Sequence, residues 1–504
     1  MGFVLKNKTR LPQPPHAAPT LACTRLRALF RPLRAALFLL TVLLLSLPFI
    51  TASRANAVWS SSFSTADEEE LGKKFDVLVR SRLPLVQDPE IINYFISMVQ
   101  RLSTSIPPQP FEFKVNIIQH NAVNAFAVPG GYVFINTGLI TAMNTPAEIA
   151  GVLAHEMAHV TQRHIAKRIE AAKTINVLSV LGMLAGALLG GDVGQAAIFG
   201  SAAAGQAALL NYSRADESEA DQVGFNYLLA AKYPPHALVD AFVILQRPQW
   251  ITGSNFPSYL STHPDIASRI RDIDARIKNL RAIPSDAQSQ RELLEFARIQ
   301  TLVRGRYATP EVAQQFFNSK AQTENEASGK SFAYLGQALV FERKNQIKDA
   351  AAAYRNAVAV NPHDPVILRE AGRFHYLKGN SDEAVVLLAE AIRLNRNDYP
   401  ALFYYARMLD DSGQSVQAAD YYKNILQYVP EDAEVHQYYA QALGKNNRLF
   451  LANLHLAYSA MYMNNAPRTT QFYERAKKLA VTPEDKNFLE LFDKKFKERS
   501  AYWS

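Results

Sequence analysis

His155-Glu156-Met157-Ala158-His159 is the stretch around which this sequence is organised, and Glu148 to Ala154 precede it. The pattern of the whole stretch predicts one amphipathic helix. Residues four apart lie on one face of an α-helix, about one turn apart, so the two imidazoles can converge on a single cation. Glu156, one position round, then faces the open coordination position. The spacing H-E-x-x-H predicts a zinc site in which Glu156 deprotonates a metal-bound water. The alternative is a surface helix that carries two histidines and a glutamate by chance.

The charge of the chain is concentrated at its start. The 504 residues have a formal net charge of +8. Residues 1–57 contain eight Lys or Arg and neither Asp nor Glu, so the rest of the chain is close to neutral. A body without net positive charge gives no indication of nucleic-acid binding.

The first residues also have the pattern of a secretory signal peptide. The basic segment is followed by an apolar run, Ala35 to Ile50, and then by Ala55-Asn56-Ala57, a small-x-small cleavage site. This order predicts cleavage near Ala57 and a bacterial periplasmic location, with an uncleaved membrane anchor as the alternative. The only cysteine, Cys23, precedes the apolar run, so residues 58–504 have no thiol. Disulfides and thiolate ligands are therefore excluded there, and any metal must be held by His and carboxylates.

The metal motif lies in a region predicted as α+β. Helices are expected from Asp67 and over Pro89–Leu102, followed by an alternating strand at Phe111–Ile117. The turn Pro129-Gly130-Gly131 between two β-rich runs predicts a hairpin over Asn124–Gly138. We expect the zinc helix to continue to Arg168, with His164 turned about 140° away from His159 as a surface residue or a support behind the ligands.

The hairpin suggests a way to bind substrate. A strand edge at Asn124, Ala125 and Phe126, close to the zinc helix, could pair with an extended peptide by β-augmentation. The alternative is that the hairpin only covers the core.

Residues 174–213 are almost uncharged, with Asp192 as the exception. Gly182, Gly186 and Gly190 form a stripe of small residues that allows close helix packing. The segment predicts a lid-like or membrane-facing helical hairpin with peripheral membrane contact, and true insertion is the alternative.

Further residues complete the predicted zinc site. Glu217 and Asp221 share one helix face, and Glu217 supplies the third ligand that a two-histidine site lacks, while Asp221 could fix the tautomer of a ligand His. Both residues could equally belong to a solvated acidic helix start. His263, held before Pro264, could stabilise the transition state or act as a removable fourth ligand. A lone loop histidine is otherwise simply exposed.

From about residue 330 the sequence repeats. Small residues recur every 34 positions in two series, Ala338, Gly372, Ala406, Ala440 and Ala350, Ala384, Ala418, Ala452. This period predicts tetratricopeptide repeats, an all-α solenoid. The expected organisation is therefore a signal peptide at 1–57, a zinc metallopeptidase domain at 58–285, connecting helices at 286–329 and the repeats at 330–500.

Together these segments resemble the HtpX/CAAX-prenyl-endopeptidase family of gluzincin metallopeptidases, and within it the BepA type, which carries C-terminal tetratricopeptide repeats. The resemblance spans about 65–500 and rests on the motifs quoted above, with Arg269 after the Ser261-Thr262-His263-Pro264 segment. It implies His155, His159 and Glu217 as ligands of one Zn²⁺ per chain, Glu156 as the base and Asp221 as their support. It also implies that His263 can fill the fourth position and hold the enzyme in check.

The resemblance further implies a periplasmic endopeptidase with chaperone-like activity. Its protein substrates would be outer-membrane β-barrel proteins, stalled or assembling, together with their assembly machinery. Two other functions remain open. One is a chaperone or adaptor whose solenoid does the main work while His263 keeps the zinc site silent. The other is a membrane-embedded quality-control protease.

Overall fold

The computed structural model describes residues 63–171, 212–247, 258–280 and 287–500, all within one compact unit that extends from Trp59 to Ser504. The predicted signal peptide, and residues 174–211 of the predicted lid-like hairpin, lie outside this part. Within it the expected α+β class is confirmed, because one small sheet stands among many helices.

The elements before the repeats follow the chain in this order: α1 (Thr65–Arg82), α2 (Pro89–Ser103), β1 (Lys114–Ile118), β2 (Ala125–Val128), β3 (Tyr132–Asn136), α3 (Thr137–Ala142), α4 (Pro146–Thr161), α5 (His164–Ala171), α6 (Arg214–Ala230), α7 (Ala237–Leu245), α8 (Ser258–Thr262) and α9 (Ile266–Ile277). Two connecting helices come next, α10 (Ala287–Tyr307) and α11 (Pro310–Thr323).

The repeat helices are α12 (Ala327–Arg343), α13 (Ile347–Val360), α14 (Pro365–Leu377), α15 (Ser381–Leu394), α16 (Tyr399–Asp411), α17 (Ser415–Tyr428), α18 (Ala433–Lys445), α19 (Leu449–Tyr462), α20 (Ala466–Leu479) and α21 (Pro483–Ser500). The expected helix pairs are thus present. In the part of the chain that is described, no helix has both the length and the apolar character needed to cross a bilayer.

The three strands form one sheet in the order β1-β3-β2, with β2 antiparallel and β1 parallel to β3. The predicted hairpin is confirmed. Its turn needs glycine, because Gly130 and Gly131 have φ of 82° and 84°. A Cβ on Gly131 would also lie 2.7 Å from the Glu112 carbonyl oxygen. β1 and β2 are the two edge strands of this sheet.

The helix that carries the metal motif, α4, begins at a capping box. The Thr145 side chain accepts from the Glu148 backbone N–H while the Glu148 carboxylate accepts from the Thr145 N–H. The expectation of an amphipathic helix is wrong, because α4 is buried on nearly every side between β2, α6 and α7. At Gly224 of α6 a Cβ would lie 2.9 Å from the His155 Cα, so this glycine permits α6 to approach the motif closely.

The expected continuation of this helix to Arg168 is also wrong. Helix α4 ends at Thr161, and Arg163 has a left-handed φ of 57° before α5 starts at His164. Arg163 donates from Nε to the buried carboxylate of Glu68 at 2.6 Å and from Nη2 to the Phe63 carbonyl at 2.6 Å. Since the helix is interrupted, its angular period does not describe where His164 points.

One hydrophobic core joins the metal-motif region to the first repeats. Helix α10 packs against α2, α3 and α12, and buried residues such as Leu302, Leu335 and Phe374 belong to the same cluster as α4. Helix α10, the first of the two connecting helices, therefore joins the sheet-containing part to the solenoid.

Candidate metal centre

Two helices and one loop bring four ligand-type side chains to a single point. His155 and His159 come from α4, Glu217 from α6, and His263 follows α8; all four are at most 1% exposed. Nε2 of His155 lies 3.0 Å from Nε2 of His159 and 3.4 Å from Nδ1 of His263. The Glu217 carboxylate lies 3.3 Å from His159 Nε2, 3.0 Å from His263 Nδ1 and 3.6 Å from His155 Nε2.

These separations fit a tetrahedral metal ion. Imidazole and carboxylate ligands lie about 2.0–2.1 Å from Zn²⁺, which places neighbouring ligand atoms about 3.3–3.4 Å apart at the corners of a tetrahedron. The five separations above, 3.0–3.6 Å, bracket this length. The donor set of three nitrogens and one carboxylate therefore fits the metal that the motif predicts, and His263 stands at the fourth corner rather than in an exposed loop.

A carboxylate and an arginine support the ligands from behind. Oδ1 of Asp221 lies 2.9 Å from His155 Nδ1, which leaves Nε2 directed at the centre. Arg269 donates to both Asp221 oxygens, from Nε at 2.7 Å and from Nη2 at 2.6 Å, and its Nη1 contacts the Glu217 carboxylate. The guanidinium thus holds Glu217 and also the Asp221 carboxylate that contacts His155.

Glu156 is buried beside the four converging groups. Its Oε1 has no hydrogen-bond partner among the described residues, and the nearest histidine nitrogen, His263 Nε2, lies 3.5 Å away. Burial raises the pKa of the Glu156 carboxyl above its usual value of 4.5. A buried carboxylate with a free oxygen and a raised pKa is suited to accept a proton near neutral pH.

The electrostatics suit a cation at the centre. Burial alone would raise the pKa of Glu217, but His263, His155 and His159 hold that pKa well below its usual range, so the carboxylate is charged. Burial and the Arg269 charge act to lower the pKa of His155, yet the hydrogen bonds to Asp221 and Glu217 raise it to about 9. The site therefore attracts positive charge, and a metal ion would replace a proton here.

Two tyrosines line the site, and neither of them was identified from the sequence. Tyr212 stacks on His159 with ring centroids 3.7 Å apart, and Tyr259 stacks on His263 at 4.3 Å. The signal for Tyr259 was its position four residues before His263, which places it one helical turn away. Tyr212 carried no comparable signal.

His164 was expected as a surface residue or as a support behind the ligands, and the surface alternative is wrong. It is 1% exposed, and its Nδ1 lies 2.8 Å from Nδ1 of His159. The break at Arg163 turns it back towards the ligand, which a continuous helix would not do.

The predicted substrate-contacting residues lie on or beside the edge strand β2, and all three are buried. The ring of Phe126 packs against those of Phe75 and Phe134, with centroids 6.2 Å and 5.0 Å apart. Ala125 belongs to a different hydrophobic cluster from Phe126, the one that also contains residues of α4. Asn124 precedes the strand, and its backbone carbonyl accepts from the Asn136 N–H at 3.0 Å. The role of these residues in substrate binding stays a prediction. Because the ring of Phe126 is packed in the core, Phe126 would contact a substrate through its backbone.

Comparison with known families agrees with this geometry. Residues 87–277 match the family described as Peptidase family M48, and residues 343–405 match the Tetratricopeptide repeat family. The first match contains all the residues of the site just described, and the second lies in the helix pairs that begin at α12.

The chain is also similar in sequence to several proteins that are named as proteases. A Beta-barrel assembly-enhancing protease from Yersinia pestis is 27% identical over 351 residues, which cover 68% of this chain and 70% of the relative. A Putative beta-barrel assembly-enhancing protease from Vibrio cholerae is 32% identical over 223 residues, covering 44% and 46%. The Mitochondrial metalloendopeptidase OMA1 of Schizosaccharomyces pombe is 28% identical over 182 residues, covering 36% and 51%. Residues 87–277 therefore form a metalloendopeptidase domain of peptidase family M48, which this chain combines with tetratricopeptide repeats.

Proposed function

We propose that this chain is a zinc-dependent endopeptidase of the bacterial periplasm, with chaperone-like activity, that acts on assembling or misassembled outer-membrane β-barrel proteins. The observation that carries the proposal is the position of Glu156. One oxygen of its buried carboxylate has no hydrogen-bond partner in the described part of the chain and lies beside four groups whose spacing fits a tetrahedral metal ion.

The chemistry proposed is peptide-bond hydrolysis. Zinc bound by His155, His159 and Glu217 would supply a Lewis acid for the scissile carbonyl and for an attacking water. Glu156 takes the proton of that water and passes it to the leaving amine, for which its raised pKa is suited. Asp221 and Arg269 hold the ligands in place, so that little reorganisation is needed during the reaction.

We assign His263 two roles, one in inhibition and one in catalysis. In the geometry described, its Nδ1 completes the tetrahedron, and a filled fourth position leaves no place for water. The enzyme would therefore rest in an inhibited state and become active when His263 moves away, after which the imidazole could stabilise the transition state.

The same geometry favours a second function, a chaperone or adaptor in which the zinc site stays closed and the solenoid does the main work. A His263→Ala variant that cleaves no faster than the unchanged protein would favour this adaptor function. Faster cleavage by that variant would favour the self-inhibited enzyme.

The substrate class is supported by the relatives and by the repeats. Two relatives are named for β-barrel assembly, and tetratricopeptide repeats commonly hold peptides or partner proteins. The proposed partners are therefore β-barrel proteins and their assembly machinery. A substrate segment would lie extended along β2 beside Asn124, Ala125 and Phe126; because these residues are at most 2% exposed, that edge would have to be uncovered first.

The periplasmic location is supported by the sequence. Residues 1–57 have the order of a cleaved signal peptide, and the body has no cysteine and hence no need for reduced thiols. Peripheral contact with a membrane through residues 174–213 is part of the same proposal.

The test is Glu156→Gln in the full-length mature chain, with Glu112→Gln, an exposed carboxylate of the same domain, as the charge-matched control. Glutamine has the same shape but cannot accept the proton, so we expect cleavage of an unfolded β-barrel protein to fall on the order of 10²–10⁴-fold with zinc content unchanged. The control should cleave normally. Cleavage retained by the glutamine variant with zinc still bound would contradict the role of Glu156.

A further inference from the structure

A chain of contacts leads from the ligand His159 to the protein surface. Nδ1 of His159 lies 2.8 Å from Nδ1 of His164, and Nε2 of His164 lies 3.1 Å from the Glu219 carboxylate. The His164 side chain is fully buried, whereas that of Glu219 is 47% exposed. The contact with His164 engages Nδ1 of His159, the ring nitrogen that does not face the metal centre.

Only one placement of the protons on His159 and His164 is consistent with these contacts and with a metal at the site. To offer its Nε2 lone pair to a metal, neutral His159 must carry its proton on Nδ1. That N–H then donates to His164 Nδ1, which must be unprotonated, so His164 carries its own proton on Nε2. This second N–H donates to Glu219, an acceptor when ionised. A proton on both facing Nδ1 atoms would place two donors 2.8 Å apart.

The local backbone explains why His164 can take this position. In a continuous helix it would lie about 140° round from His159. The left-handed Arg163, anchored by Glu68 and the Phe63 carbonyl, turns the chain so that His164 begins α5 facing back towards the ligand. Glu219 reaches it from α6, the helix that also carries Glu217.

We propose that His164 and Glu219 are a positioning pair that fixes the tautomer and ring orientation of His159 as a metal ligand. The proposal rests on the metal centre proposed above and assigns His159 the support that Asp221 gives His155 directly. The two histidines of the motif are thus supported differently: His155 by a carboxylate, and His159 by an imidazole that itself contacts a carboxylate. Support of this kind typically changes metal affinity by about 10–100-fold.

The experiment measures the zinc dissociation constant of the full mature chain by competition with a chelator. His164→Phe fills the space but offers no acceptor, so we expect roughly 10–100-fold weaker binding. His164→Asn keeps an acceptor oxygen close to the Nδ1 position and should recover most of the affinity. Glu219→Gln should weaken binding roughly threefold, as expected for a partly solvated contact. Glu112→Gln is the charge-matched control and should bind zinc as the unchanged protein does.

Thermal unfolding of the metal-free variants separates positioning from general damage. Weaker zinc binding by the Phe variant than by the Asn variant, at equal metal-free melting temperature, supports the pair. Equal affinity of both variants, whether normal or weakened, overturns it. If the Phe variant does not fold, Glu219→Gln decides: weaker binding than Glu112→Gln supports the pair, and binding equal to it overturns the pair. Failure of the unchanged protein to bind zinc would instead refute the metal centre itself.

Discussion

In the repeat region the buried His436 faces the half-buried His455 across neighbouring helices. Nδ1 of His436 lies 2.8 Å from Nδ1 of His455, and Nε2 of His436 donates to the Pro430 carbonyl at 3.0 Å. His436 therefore accepts at Nδ1 and His455 donates. The ring of Tyr458 stacks on His436 with centroids 5.0 Å apart. Burial lowers the pKa of His436 to about 4 and that of His455 well below its usual 6.5.

These lowered pKa values predict that the fold loses stability on acidification. Between pH 6.5 and 4 the unfolded chain binds a proton at His436 and the folded chain does not, so the unfolded state gains stability as the pH falls. We expect a loss of about 3 kcal/mol in the free energy of unfolding from His436 at pH 4, with a further loss from His455. Urea unfolding between pH 7.5 and 4 measures this dependence.

A matched pair of variants isolates the cause. His436→Asn removes the titrating group and should flatten the pH dependence in this range, although it weakens the fold at pH 7.5. His363→Asn, at an exposed histidine of the same solenoid, should leave the dependence unchanged. Equal pH dependence in both variants would refute the assignment to His436.

At the scale of elements, the local periodicity of the sequence correctly predicted the structures that depend on short-range spacing. The hairpin, the helix at Pro89, the helix pairs and the shared face of Glu217 and Asp221 all follow from short-range spacing. Helix α4 looked amphipathic only because its sequence does not show that β2, α6 and α7 cover it together. Burial by several elements at once is a property of the tertiary fold.

The break at Arg163 shows the same limit for the site. No glycine or proline marks it, and a left-handed arginine is held by Glu68, 95 residues earlier in the chain. His164 could therefore not be placed by counting along a helix. The sequence alone left His164 between the surface and a support behind the ligands, because the break at Arg163 decides between them. Tyr212 was missed, since its stacking on His159 is a tertiary contact.

At the scale of the whole molecule, a buried cluster of charges joins the peptidase part to the solenoid. Arg369 of α14 donates to Asp398 at 3.1 Å and lies 2.6 Å from the Glu90 carboxylate at the start of α2. Arg306 of α10 contacts Asp88 and Glu370 on the two sides of the same joint. Arg369, Glu370 and Asp398 are at most 3% exposed, and their ion pairs with Glu90 and Arg306 link the two parts across the joint.

Removing one member of this cluster should be costly. Arg369→Met leaves Glu90 and Asp398 with less compensation in a buried place, and we expect a loss of about 3–5 kcal/mol in the free energy of unfolding. Arg393→Met is the control, since its partner Glu390 is on the surface and exposed pairs contribute little. Urea unfolding compares the two. An Arg369 variant as stable as the Arg393 variant would contradict a structural role for the joint.

The central claim is that His155, His159, Glu217 and His263 converge on one zinc ion, and zinc-edge X-ray absorption tests it most directly. The account predicts one zinc per chain with three imidazoles and one carboxylate at about 2.0–2.1 Å. In His263→Ala the count should fall to two imidazoles, with an oxygen ligand in place of the third. Two imidazoles in the unchanged protein, and the same spectrum in the variant, would contradict the claim.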